Sequence, residues 1–155
     1  MTDWDVGMAV DERLRQIHAY WDSRRRSRAM PSRGDINPAH IPRLLPYVFL
    51  VEILRDLPDF RFRLAGTHFC DFTGMELAGR RIDAVFPPAF TEEVRYHWAG
   101  CVARRAPKIG SGRLWLPDRE HVGRELTVLQ LSAAGALVDM LLGAIVFKIG
   151  SPHDS

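Results

Sequence analysis

Apolar and polar positions alternate from residue 60 to 64, with Phe60, Phe62 and Leu64 on one side and Arg61 and Arg63 on the other. That period of two predicts a strand. It stops at Ala65-Gly66, where Thr67 is placed to N-cap a short helical turn carrying Phe69 and Phe72. Gly74 ends that turn, and Gly79 ends a second one over residues 75–78. Upstream, residues 47–54 read as an apolar strand, joined to the first through a turn at residues 56–59 that holds Pro58.

The N-terminal part changes to a helical period. Val10, Leu14, Ile17 and Trp21 fall on one face of an amphipathic helix over residues 9–25, opposite Glu12, Arg13, Arg15, Gln16 and Asp22. A loop over 29–37 ends with Asn37 as N-cap and Pro38 as the first position of a short helix over 38–45. A longer helix spans 89–105, with the stripe Phe90, Val94, Trp98, Cys101 and Val102. Its glutamates lie early, its arginines late, and Pro107 follows its end. Strands follow over 108–116, 122–132 and 137–148. The last two are apolar on both faces, as buried central strands are.

Composition narrows the class. The chain has 155 residues, 46% hydrophobic and 26% charged, which suits one globular domain with a proper core. A net charge of +2 implies neither a nucleic-acid nor a membrane partner. The run Arg24-Arg25-Arg26-Ser27-Arg28 lacks interleaved aromatics and reads as a solvated, dipole-matched helix end. The apolar stretch 126–147 is broken at 130–135 and by Asp139, so no piece reaches the roughly 20 residues a membrane span needs. Cys70 and Cys101 suggest two reduced thiols in a cytoplasmic protein. The acidic start carries no signal-peptide pattern.

Several pieces in order carry a family likeness. They are Tyr20-Trp21; Pro31-Ser32-Arg33-Gly34-Asp35-Ile36-Asn37-Pro38; Ile41-Pro42-Arg43-Leu44-Leu45-Pro46; and Arg61-Phe62-Arg63-Leu64-Ala65-Gly66-Thr67, with Gly74 and Gly79-Arg80 after them. Over residues 10–148 the chain resembles the PAS family, and within it a bacterial single-domain branch. The resemblance implies an α+β fold: a five-stranded antiparallel sheet with helices over one face, preceded by the N-terminal amphipathic helix. The expected organisation is a helical extension at 1–28, a PAS-like domain at 29–150 and a disordered tail at 151–155.

Each candidate site stands beside a structural alternative. The candidate ligand pocket is lined by Phe62, Leu64, Phe69, Phe72, His97, Trp98, Val102 and Trp115, which would equally fill a core. Haem-binding PAS domains take an axial histidine from the long helix, where His97 lies, but a helix-edge histidine is also an ordinary surface residue. Haem and flavin both lack a motif here: no c-type attachment sequence is present, and Cys70 sits between Phe69 and Asp71 instead of the asparagine-cysteine-arginine of light-sensing PAS domains. His68, Cys70 and Asp71 point in different directions on one turn and lack a fourth metal ligand. Arg61 and Arg63 suit a carboxylate ligand or a solvated strand face. Arg33 and Asp35 would pair, brace their loop or meet a ligand.

The resulting expectation is a non-catalytic sensory or regulatory module in signal transduction. It would bind a small molecule, a signalling protein, or both, and form a homodimer through the N-terminal helix. Neither a catalytic output segment nor nucleic-acid binding is expected on this chain. A ligand-free dimerisation adaptor is the alternative, followed by a small enzyme using Asp71 or His97 as acid or base.

Overall fold

The computed structural model describes residues 2–5, 11–55, 59–113, 122–135 and 137–149. Trp115 and the tail over 151–155 lie outside them, as does Val10. Among the described residues one six-stranded antiparallel sheet forms the centre: β1 (Thr2–Asp5), β4 (Lys108–Arg113), β5 (Val122–Leu131), β6 (Met140–Ile149), β2 (Val48–Leu54) and β3 (Asp59–Ala65), in that spatial order. The five expected strands are present, and β1 adds a sixth at the edge, pairing Thr2 to Asp5 with Gly112 to Ile109 of β4.

Helices lie over one face of the sheet, as expected, and the N-terminal helix covers the other. Over the inner face lie α2 (Thr67–Thr73) and α3 (Pro88–Arg104); α3 buries Phe90, Val94, Trp98 and Cys101. Over the distal face lies α1 (Glu12–Arg25), which buries Leu14, Ile17 and Trp21. Its N-cap is Asp11, whose carboxylate accepts the Arg13 N–H at 2.8 Å, and the Trp21 indole N–H donates to the Gln130 carbonyl at 2.8 Å. Double coverage explains why β5 and β6 are apolar on both sides: nearly every residue from Arg124 to Leu131 and from Leu141 to Phe147 is buried.

The short helix expected over 38–45 is instead a pair of 3-10 turns, Pro38–His40 and Leu45–Tyr47, with Asn37 capping the first through the Ala39 N–H at 3.0 Å. Pro42 explains the change. It has no N–H to donate four residues back, so the chain makes i to i−3 bonds, from Ile41 to Pro38 and from Leu44 to Ile41. Gly66, not Thr67, caps α2. A Cβ on residue 66 would stand 2.2 Å from the Leu45 carbonyl oxygen and 2.4 Å from that of Pro46, so only glycine admits this approach. Gly74 ends α2 at φ 73°, as expected. No helix forms over 75–78: Gly79 donates to the Phe62 carbonyl at 2.7 Å and Phe62 to that of Arg80 at 2.9 Å, so this segment pairs along the edge of β3.

The alternation read from residue 60 to 64 breaks inside β3. Val51 pairs with Phe62 but Leu50 pairs with Leu64, leaving Arg63 as the extra residue of a β-bulge. Phe60 and Phe62 therefore face α3, while Leu64 crosses to the distal face, opposite to the expectation. Arg61 also lies on the distal face, pairing with Glu52; the Arg63 guanidinium reaches the same carboxylate at 3.8 Å.

Candidate functional site

The inner face holds a packed set of rings. Phe49 stacks on Trp98 at a centroid distance of 5.7 Å and meets Phe62 and Phe69 edge-on at 5.8 and 5.6 Å. Phe60 meets Trp98 edge-on at 5.5 Å, and Phe62 meets Phe69 at 5.6 Å. All five are buried. Gly143 of β6 makes room for this arrangement, because a Cβ there would lie 2.1 Å from Phe49 Cζ. The Trp98 indole N–H has no acceptor among the described residues.

Of the residues expected to line one pocket, Phe62, Phe69 and Trp98 come together in this ring cluster, and Val102 packs, partly buried, against the hydrophobic core. Phe72 stacks on Phe147 at 4.0 Å. His97 instead lines a surface hollow of α3 with Tyr96, Gly100, Arg104 and Lys108. Burial lowers its pKa, Lys108 lowers it further, and Glu93 opposes. Among the described residues, touching rings occupy the inner face around Trp98, and His97 lies apart from them on an outer hollow. Cys70 points at the Ala65 carbonyl, 3.6 Å away. The Cys101 thiol is buried, which pushes its pKa up to about 12. No cluster of metal-ligating side chains occurs among the described residues.

Among the described residues, an apolar cleft lies on the other face. It has a volume of about 270 Å³ and a floor of Val48, Leu50, Leu64 and Leu142 from the sheet. Ile36, Pro38, Ile41 and Leu45 form its wall, with Arg33 at the rim. The bulge at Arg63 creates part of this floor by turning Leu64 outward, where it is 40% exposed. Alternation alone would have hidden it.

The cleft wall is tied to α1. The Tyr20 hydroxyl accepts the Asn37 N–H at 2.9 Å and lies 2.8 Å from His40 Nδ1. Arg24 Nε donates to the Asp35 carbonyl at 2.7 Å, and Arg28 meets the Asp35 carboxylate at 2.7 Å. Asp35 also accepts from the Ser32 N–H and hydroxyl, both at 2.9 Å. The Ser32 N–H and the Arg28 guanidinium hold its carboxyl well below the usual range. Asp35 thus pairs with Arg28, not Arg33, and two arginines of the basic run brace the loop.

The PAS domain family profile matches residues 10–146. The chain belongs to the PAS domain family. Solved structures agree at the level of fold. An RNA-binding light-oxygen-voltage receptor is 14% identical with a TM-score of 0.57, covering 94% of this PAS chain and 38% of that receptor. A light-oxygen-voltage domain studied with a flavin analogue is 15% identical with a TM-score of 0.50, covering 71% of this chain and 82% of that one. The PAS chain thus spans well under half the length of the first of these. No curated protein matches it. No helix among the described residues is long and apolar enough to cross a membrane.

Proposed function

We propose that this PAS domain is a non-catalytic sensory or regulatory module in signal transduction, and that a small apolar or amphipathic molecule in the distal cleft biases the docking of α1. One observation carries the reading: the wall that would have to yield to an occupant is hydrogen-bonded to α1 through Tyr20 and Arg24, and through Arg28, which follows the helix and donates back to the Arg24 carbonyl. An occupant that fits only when residues 33–41 shift has different affinities for the docked and undocked states, which is what a population shift requires. Once undocked, α1 would offer Leu14, Ile17 and Trp21 to a second copy or a signalling partner. Two free thiols suit a cytoplasmic setting.

The test compares the native and denatured masses of protein purified from cells. A stoichiometric small-molecule difference that disappears in Leu64→Trp supports the reading. A dimer without an adduct, unaffected by Leu64→Trp, favours the ligand-free adaptor, for which the filled ring cluster of the inner face also speaks.

A further inference from the structure

Among the described residues, Arg33 is the one charged side chain lining the cleft, and that charge indicates which amphipathic molecule enters. Arg33 is exposed, and among the described residues no carboxylate lies within ion-pair distance of it. Its guanidinium donates to the carbonyl of Ile36, in its own turn, at 3.2 Å. The nearest acid in sequence, Asp35, is held by Arg28 and Ser32. Below Arg33 the surface is apolar, and its floor includes Leu64, one of the few large apolar side chains left exposed. The Gly66 N–H is spent on the Val48 carbonyl at 2.8 Å, so the backbone there offers no competing donor.

We propose that the distal cleft binds an amphipathic carboxylate: the carboxylate sits on the Arg33 guanidinium and a short aliphatic chain lies on Leu50, Leu64 and Leu142. A guanidinium fork matches a carboxylate in a bidentate pair. A volume of about 270 Å³ lies at the lower end of ligand pockets, so the chain is short. Engaging the carboxylate exchanges the Arg33–Ile36 bond for a stronger charge-assisted one. It therefore acts on the turn that Arg24 and Arg28 connect to α1. The inference rests on the ligand-sensing reading above and names its ligand class.

The test uses the full chain labelled with ¹⁵N and three probes of equal chain length: octanoate, octanol and octylammonium. Octanoate is expected to shift the amides of Ile36, Leu45 and Leu64 saturably, and to bind roughly tenfold or more tighter than octylammonium. Arg33→Gln should remove that preference and leave octanol binding unchanged. Leu64→Trp should abolish binding of all three. Equal binding of octanoate and octylammonium, insensitive to Arg33→Gln, would overturn the carboxylate assignment yet leave ligand sensing intact. Shifts centred on the Trp98 indole would overturn the location by pointing to the inner face. If a probe occupies the cleft while exchange of the α1 amides stays unchanged, the ligand-sensing reading itself fails.

Discussion

Replacing Gly143 by alanine tests whether Phe49 really closes the inner face. The added Cβ would lie 2.1, 2.3 and 2.7 Å from Phe49 Cζ, Cε2 and Cε1. Carbon atoms rest at about 3.5–4.0 Å, so the ring must retreat by more than about 1 Å. It has nowhere to go, because Phe62, Phe69 and Trp98 hold it at centroid distances of 5.8, 5.6 and 5.7 Å. Overpacking typically costs about 1–3 kcal/mol. A ring fixed on three sides puts Gly143→Ala near the top of that range, about 3 kcal/mol, or a fall in Tm of roughly 6–12 °C at this size. Phe49→Leu alone should cost about 1–2 kcal/mol in lost packing. Together the two should cost less than their sum by about 2 kcal/mol, since the smaller side chain vacates the space. Equilibrium urea unfolding followed by circular dichroism, on the wild type and the three variants, measures that coupling. Additive costs, within about 0.5 kcal/mol, would refute the steric account.

Trp21→Phe keeps most of the ring but orphans the buried Gln130 carbonyl. It should loosen α1 by about 1–2 kcal/mol, read as faster amide exchange confined to Glu12–Arg25. The His68 Nε2 accepts the Phe147 N–H at 3.1 Å, and burial, reinforced by Arg13 and opposed by Asp71, holds its pKa below 6.5. The unfolded chain therefore binds more protons as pH falls below 6.5, so stability is full above that value and declines as pH drops through the lower folded pKa. His18 and His97, also depressed by burial, act with the same sign. His68→Gln should flatten the slope of urea-derived stability below pH 6.5, and parallel curves would contradict this role. Asp11, lowered chiefly by its bond to Arg13, contributes stability above its ordinary 3.8 that is lost as pH falls further; Asp11→Asn should reduce that acid limb, leaving the part that Asp35 supplies with the same sign. In a thiol-labelling time course, half-buried Cys70 should react first and Cys101 only on unfolding.

Much of the fold was legible because its signals are local. A period of two marked β3, apolar runs marked β2, β5 and β6, and a period of 3.6 marked both long helices, while Asn37 and Gly74 marked ends by their conformational chemistry. What escaped detection depends on contacts distant in sequence. No residue near Arg63 announces a bulge; the register with β2 makes it, and with it the exposed Leu64 and half the character of the cleft. Gly66 reads as a strand stop, but its need comes from the Leu45 and Pro46 carbonyls. β1 is four residues long and gains its identity from pairing with β4. Phe62, Phe69 and Trp98 were recognisable as apolar companions. Only packing shows that, with Phe49, they form one closed set of rings. Arg33 stood out as a loop charge, but its distance from Asp35's partners could be seen only in three dimensions.

The most direct test of the account is hydrogen exchange of α1 while the distal cleft is filled. Leu64→Trp, verified as filled by its loss of octanol binding, places a side chain where a ligand would sit. The account predicts faster exchange across Glu12–Arg25 and residues 33–41, with β5 and β6 as protected as in the wild type. Unchanged α1 protection in a filled cleft would contradict it, because the wall and the helix would then not be coupled.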